Sequence, residues 1–322
     1  MIVVAVVSAK GGVGKSTIAA NLAVALNRHG RTVLAVDLDP QNALHLHLGG
    51  KPQDIGGLSR ASVAGAAWGD TCMQAVSGVR VLPFGQINEA DLPALERRIA
   101  DDPHWLSTQL RGLALPDDAV VILDTPPGVS NTLRQVLGAA DLVISVVLAD
   151  AASYATLPQI ENLIRRHYSA RPGAVESVYI VNQVDGSSRL SREALQRIEG
   201  VLGQRVLGRV RADRSVSEAL AHGQTVVESA QDSVGRVDLT QCADHVLQLL
   251  PSRRHEAAAD SLTQAAEAQA ATTIVLDDED RRPHEQAGQA AKKSRKVSVY
   301  RLMAVLLCAV LVLLIVLWIR TR

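Results

Sequence analysis

Aromatic residues are scarce in this 322-residue chain: four Tyr, three Trp and one Phe, 2% of the total. A core short of rings has to be filled by Ala, Val and Leu, which suits aliphatic strands under Ala-rich helices in α/β layers. Cysteine is rare as well. Cys72, Cys242 and Cys308 are odd in number and far apart. That excludes a disulfide framework and gives no Cys/His metal spacing, so a reducing cytosol is the natural setting for the folded part. Net charge is also missing, since 33 basic residues balance 33 acidic ones. A non-specific DNA binder more often carries a basic excess, and the balance argues against DNA as a partner. Only six lysines occur. Lys10 and Lys15 share one motif, Lys51 stands alone, and Lys292, Lys293 and Lys296 cluster with Arg295 and Arg301 before a hydrophobic tail. No secretory signal peptide is visible, because the apolar run Ile2–Val7 is too short and leads straight into glycines.

What the chain does have is alternation. Short, β-branched apolar runs at 2–7, 32–36, 79–82, 120–123, 142–148 and 175–181 read as buried strands, with 206–210 as one more. Helical patterns lie between them at 16–29, 91–113, 130–139, 154–167, 192–202, 216–221 and 237–250. Repeated βα alternation with continuous strand runs predicts an α/β, doubly wound, mostly parallel sheet with helices on both faces. This domain is expected over residues 1–250.

After Pro251 the composition shifts. Residues 251–301 are rich in Ala, Gln, Glu and Arg, with an acidic run at 277–280 and one apolar island at 273–276, and read as a flexible linker. Residues 302–319 are 18 consecutive apolar residues, about 27 Å as a helix and enough for one membrane span. Trp318 lies near one end, and basic residues flank the run, more heavily on its N-terminal side. The expectation is a single C-terminal transmembrane helix in a bacterial inner membrane, with the preceding domain in the cytoplasm.

The chemistry begins at the first strand. It is followed by Ser8-Ala9-Lys10-Gly11-Gly12-Val13-Gly14-Lys15-Ser16-Thr17 and then a helix, the context of a phosphate-binding loop. Glycines let the backbone aim N–H groups at a β-phosphate, and the helix N-terminus adds positive charge. Lys15 is expected to bridge the β- and γ-phosphates, Ser16 to ligate Mg²⁺ and Thr17 to reach the α-phosphate. Gly11, Gly12, Val13 and Gly14 supply the cradle. The strict loop pattern fails at its first position, Ala9, and a second lysine, Lys10, stands in the motif instead.

This variant resembles the signature of the ParA/MinD ATPases, the SIMIBI class of P-loop NTPases. The resemblance implies that Lys10 reaches the phosphates of a second copy in an ATP-bound homodimer. Asp37-Leu38-Asp39-Pro40-Gln41, 22 residues after Lys15, resembles the family's first switch. There Asp39 orients the attacking water and Asp37 supports the Mg²⁺ shell. Residues 120–128, Val-Val-Ile-Leu-Asp124-Thr-Pro-Pro-Gly128, resemble the Walker B strand and second switch, with Asp124 holding an Mg²⁺-bound water. Asn182 matches the adenine-contacting asparagine. Asp213 falls in a stretch like the family's P-x-D loop, although Arg211 stands where the proline is usual.

A narrower resemblance lies in segments 82–85, 101–106 and 149–157, which are similar to those of the BcsQ/YhjQ proteins of bacterial cellulose synthase operons. It implies a slow ATPase switch that assembles or localises the cellulose synthase complex, with synthase subunits as partners. A built-in hydrophobic anchor departs from the usual cytosolic member. The alternative is a ParA/MinD-type partitioning or positioning ATPase. Against DNA binding, the pattern at 237–250 contains no Lys or Arg. Against reversible membrane gripping, 302–319 is apolar all round. His104 and Trp105 read as packing, and His45 and His47 lack partners at metal spacing.

Overall fold

Consecutive side chains of the first strand, β1 (Ile2–Val7), go to opposite sides. Ile2, Val4 and Val6 enter one apolar core, and Val3, Ala5 and Val7 enter another. A strand buried on both faces has to sit inside a helix-covered sheet. The computed structural model of the protein, which describes residues 1–168, 177–229 and 232–250, has that layout. The remaining strands are β2 (Val33–Asp37), β3 (Met73–Gln74), β4 (Arg80–Leu82), β5 (Val120–Asp124), β6 (Leu142–Leu148), β7 (Val178–Val184) and β8 (Val206–Arg211). They line up as β3-β4-β2-β5-β1-β6-β7-β8. Every pairing is parallel except β3 with β4.

The helices are α1 (Lys15–Arg28), α2 (Leu58–Ala64), α3 (Leu92–Asp101), α4 (Trp105–Gly112), α5 (Asn131–Ala139), α6 (Ala151–His167), α7 (Arg189–Leu202), α8 (Arg214–Ala221), α9 (Val226–Ser229) and α10 (Val234–Leu249). Residues of α1 and α8 to α10 close one core, and residues of α2 to α7 close the other. Both sheet edges are blunted. At one edge β3 is two residues long. At the other, Asp238 Oδ2 accepts the Arg211 N–H at 2.9 Å, and His245 Nδ1 lies 2.7 Å from the Leu207 carbonyl oxygen. Two side chains of α10 thus occupy main-chain groups of the outermost strand, β8.

The mostly parallel α/β sheet matches the sequence expectation, and the differences are local. The single helix expected over 91–113 is two. Asp102 precedes Pro103, and a residue before proline is pushed out of the helical region, here to φ −107° and ψ 102°. Its carboxylate then accepts the His104 N–H at 2.8 Å, and α4 restarts at Trp105. Strand β7 runs to Val184, past the expected end at 181, although Gln183 adopts φ 54° and the pairing with β8 is irregular between Val181 and Val184. Asn182 therefore lies inside a strand. Helix α10 begins at Val234, which brings Arg236 into a helix expected to hold no arginine. Helix α2 was not expected from its Ser-rich sequence. Its first N–H groups, on Leu58 and Ser59, donate to the carbonyls of Pro83 and Phe84 at 2.9 and 3.0 Å, so tertiary contacts hold its start.

Among the described residues, no helix is long and apolar enough to cross a membrane. The linker expected at 251–301 and the span expected at 302–319 lie outside the described residues.

Trp105 is 3% exposed and meets Trp68 edge to face, with ring centroids 5.3 Å apart. Trp105→Ala is expected to cost about 3–5 kcal/mol in urea unfolding, because it empties the space that this ring fills beside Trp68.

Candidate functional site

Parallel neighbours place the C-terminal ends of β1, β2, β5, β6 and β7 along one rim, where ligands of open α/β sheets bind. The residues that the motifs singled out gather there. The loop between β1 and α1 turns through Gly12 at φ 74° and Gly14 at φ 89°, backbone that L side chains avoid. Gly14 is the residue before α1, the helix has no side-chain cap, and no acid stands in its first turn. Its leading N–H groups are thus available to an anion. Gly11 faces Pro127 of the loop after β5, and Gly128 of that loop donates its N–H to the Ser8 carbonyl at 3.2 Å. Thr125 anchors the same loop through its hydroxyl, which donates to the Val6 carbonyl at 2.9 Å. Val13 and Lys15 are buried at the base of the glycine loop.

Asp37 and Asp124 stand opposite each other on adjacent strands β2 and β5, both 0% exposed. Burial raises the pKa of each, and the neighbouring carboxylate adds to the effect at Asp37. Their surroundings differ. The oxygens of Asp37 accept the N–H groups of Asp39 at 2.9 Å and Leu44 at 3.0 Å, so this acid organises the loop after β2. Neither oxygen of Asp124 has a hydrogen-bond partner at ordinary length. The Ser16 hydroxyl and the Lys15 ammonium pull its pKa down against burial. A buried carboxylate left open beside a serine hydroxyl and a phosphate loop fits the oxygen-donor chemistry of a hydrated Mg²⁺. Asp39 is 7% exposed and accepts the Gln41 N–H at 3.0 Å.

Lys10 has a partner that sequence reasoning missed. Its Nζ lies 3.0 and 3.1 Å from the carboxylate oxygens of Asp150, just beyond β6. Asp150 also caps α6 by accepting the Ser153 N–H at 2.6 Å. Burial works to raise the Asp150 pKa, but the Ser153 N–H and the Lys10 ammonium hold it below the usual carboxylate value. The available signal was an acid at a strand end on the same rim.

Asn182 and Asp213 line a cavity of about 750 Å³ together with Gly14, Thr17 and Arg211. The Asn182 side chain donates to the Val13 carbonyl at 2.8 Å, joining β7 to the glycine loop. Asp213 has little acceptor capacity left. It accepts N–H groups from Ser215 at 2.9 Å and Gly235 at 2.8 Å, and the Ser233 hydroxyl. Burial would raise its pKa, but these donors, Ser233 foremost, hold it at about 2. It ties the start of α8 to the start of α10. His45 and His47 are buried in the single turn Leu44–Leu48, and burial alone takes the His47 pKa down to about 4.

The sequence model of the family described as cellulose biosynthesis protein BcsQ matches residues 1–247. The chain belongs to the BcsQ family. The BcsQ protein of Escherichia coli strain K12 is 29% identical over 255 residues, which span 77% of this chain and 94% of that protein. The chromosome-partitioning ATPase Soj of Thermus thermophilus is 29% identical over 253 residues, 76% of this chain and 94% of Soj. Among solved structures, the septum site-determining protein MinD of Pyrococcus horikoshii, complexed with Mg-ADP, has a TM-score of 0.64 and 23% identity. That match covers 77% of this chain and 96% of MinD. It shows that this BcsQ-family chain shares the MinD fold.

A Cβ at Gly14 would collide with the side-chain amide of Asn182, and φ 89° disfavours any L side chain there. Gly14→Ala is expected to weaken Mg²⁺–ATP binding about 5- to 150-fold by calorimetry. The strain and displaced amide together cost about 1–3 kcal/mol.

Proposed function

We propose that this BcsQ-family chain is a slow ATPase switch. It pairs with a second copy when ATP is bound, and it supports bacterial cellulose biosynthesis and secretion by assembling or localising the synthase complex at the inner membrane. One observation carries the nucleotide part: the uncapped start of α1 stands beside the open carboxylate of Asp124. Phosphate answers the first and Mg²⁺ the second, so Mg²⁺–ATP satisfies both at once. Here the amides of Gly11, Gly12, Val13 and Gly14 cradle the phosphates with Lys15 and Thr17. Ser16 and Asp124 hold the metal, directly and through water. Asp37 supports that shell through the loop it organises, and Asp39 orients the attacking water. Asn182 contacts the adenine, and Asp213 serves it by fixing the loop alongside.

The dimer follows from the family resemblance and from Lys10. In the single chain its ammonium is held by Asp150, with the two side chains 29% and 41% exposed. A pair so open to solvent contributes only about 0–1 kcal/mol. The phosphates of a nucleotide on the second copy outcompete it, and closure exchanges one anion for another. The cellulose part rests on membership of the family. Attachment to the membrane rests on the apolar run 302–319. A second reading, a ParA/MinD-type partitioning or positioning ATPase, draws on the similarity to Soj. DNA binding of that kind would fall steeply with salt.

A detergent pull-down of the full-length protein from its own cells, beside a Lys15→Ala variant and read by mass spectrometry, tests the proposal. Cellulose synthase subunits are expected with the wild type and reduced or altered with the variant. Chromosomal or division proteins with no synthase would favour the second reading. Asp150→Asn keeps a helix cap and releases Lys10. It is expected to lower the ATP concentration that gives dimers in light scattering about two- to fivefold. An unchanged or higher ATP requirement refutes the ion-pair exchange.

A further inference from the structure

Strands β2 and β4 are parallel neighbours, with Val36 opposite Leu82, so the loops that follow them leave the sheet side by side. The loop after β2 carries Asp39 and turns back at Asn42. The Asp39 carbonyl accepts the Asn42 N–H at 2.9 Å, and Asp39 Oδ1 accepts the Gln41 N–H at 3.0 Å. Asn42 sits at φ 51°, in the left-handed region that short polar side chains tolerate better than others. Its side chain crosses to the loop after β4, where Asn42 Oδ1 accepts the Gly85 N–H at 3.1 Å.

Gly85 is a fixed landing point for that side chain. It adopts φ 79°, and a Cβ there would lie 2.8 Å from the Gly57 nitrogen and 2.9 Å from the Gly56 carbonyl oxygen. Backbone packs directly on backbone. On one side, the Phe84 carbonyl accepts the Ser59 N–H at 3.0 Å. On the other, the Gln86 N–H donates to the Ile55 carbonyl at 3.1 Å. Gly85 is thereby clamped against the start of α2 and the residues that lead into it.

We propose that Asn42 is a positioning residue for the hydrolytic step: by bracing the loop after β2 against Gly85, it keeps Asp39 where the attacking water is oriented. This rests on the ATPase reading above and extends it to a residue that reading leaves unassigned. The loop has two anchors of different kinds. Asp37 holds it from the sheet, through the N–H groups of Asp39 and Leu44. The Asn42 amide holds it from the side, through Gly85. A reacting water is sensitive to small displacements of the group that orients it, so a second anchor bears on rate. A single hydrogen bond between neutral groups contributes modestly. It sets how much of the time Asp39 is in place, while the glycine loop and Lys15 decide whether nucleotide binds. The brace therefore acts on turnover and not on affinity.

The test compares Asn42→Gly and Asn42→Asp with the wild-type full-length chain in detergent, by single-turnover ATP hydrolysis and by calorimetry with Mg²⁺–ATPγS. Glycine keeps the left-handed backbone and removes the brace. It is expected to slow hydrolysis about 2- to 13-fold and to leave ATPγS affinity within about twofold. Aspartate tolerates the same backbone and restores an acceptor for the Gly85 N–H, and it is expected to hydrolyse ATP within about twofold of the wild type. An unchanged rate in Asn42→Gly, equal losses of rate and affinity, or an Asn42→Asp variant as slow as Asn42→Gly each overturns the brace alone. A wild-type chain that does not hydrolyse ATP overturns the ATPase reading and the brace with it.

Discussion

Two carboxylates face each other across neighbouring strands at the rim of the sheet, both out of water, and the surrounding loops are built around them. Burying one acid is costly, and burying two side by side is more so unless each is given company. Asp37 receives it from main-chain N–H groups of the loop after β2, which thereby acquires its shape. Asp124 has no hydrogen-bond partner at ordinary length, and chiefly the Ser16 hydroxyl and the Lys15 ammonium offset its burial. The unequal treatment makes one acid a scaffold and leaves the other in need of a cation. The loop after β5 is bonded to the glycine loop through the Gly128 N–H and the Ser8 carbonyl, and the loop after β2 to Asp124 through the Leu38 N–H.

Much of this was legible in the sequence. Ile2–Val7 and Leu142–Leu148 were read to the residue, because a strand buried on both faces is an unbroken apolar run and the loops beside it are polar. The glycine loop and the acids at 37, 39 and 124 declared themselves through fixed spacing from strand ends. What escaped depends on distance in the chain. Helix α2 starts on carbonyls some 25 residues downstream, at Pro83 and Phe84. Asp150 meets Lys10 across 140 residues. The turn of β7 at Gln183 uses a residue with no preference for positive φ. Pattern reading sees neighbours and periodicity, and these features have neither.

The BcsQ-family segments that stood apart from the nucleotide motifs now have physical roles. Residues Pro83 and Phe84 supply the carbonyls under α2, Asp102 and Pro103 break a long helix in two, and Asp150 caps α6 while holding Lys10. None of them is required by phosphate chemistry. They shape the helical layer of one face and the approach to the rim.

The blunted edge at β8 has a consequence for assembly. With Asp238 and His245 seated on its main chain, and only two residues in β3 at the far side, the sheet offers a poor ladder for another chain to extend. Growth by strand addition is thereby discouraged at both ends, and association is steered towards faces and loops. The fold is thereby shielded from the open-ended stacking that a bare edge invites.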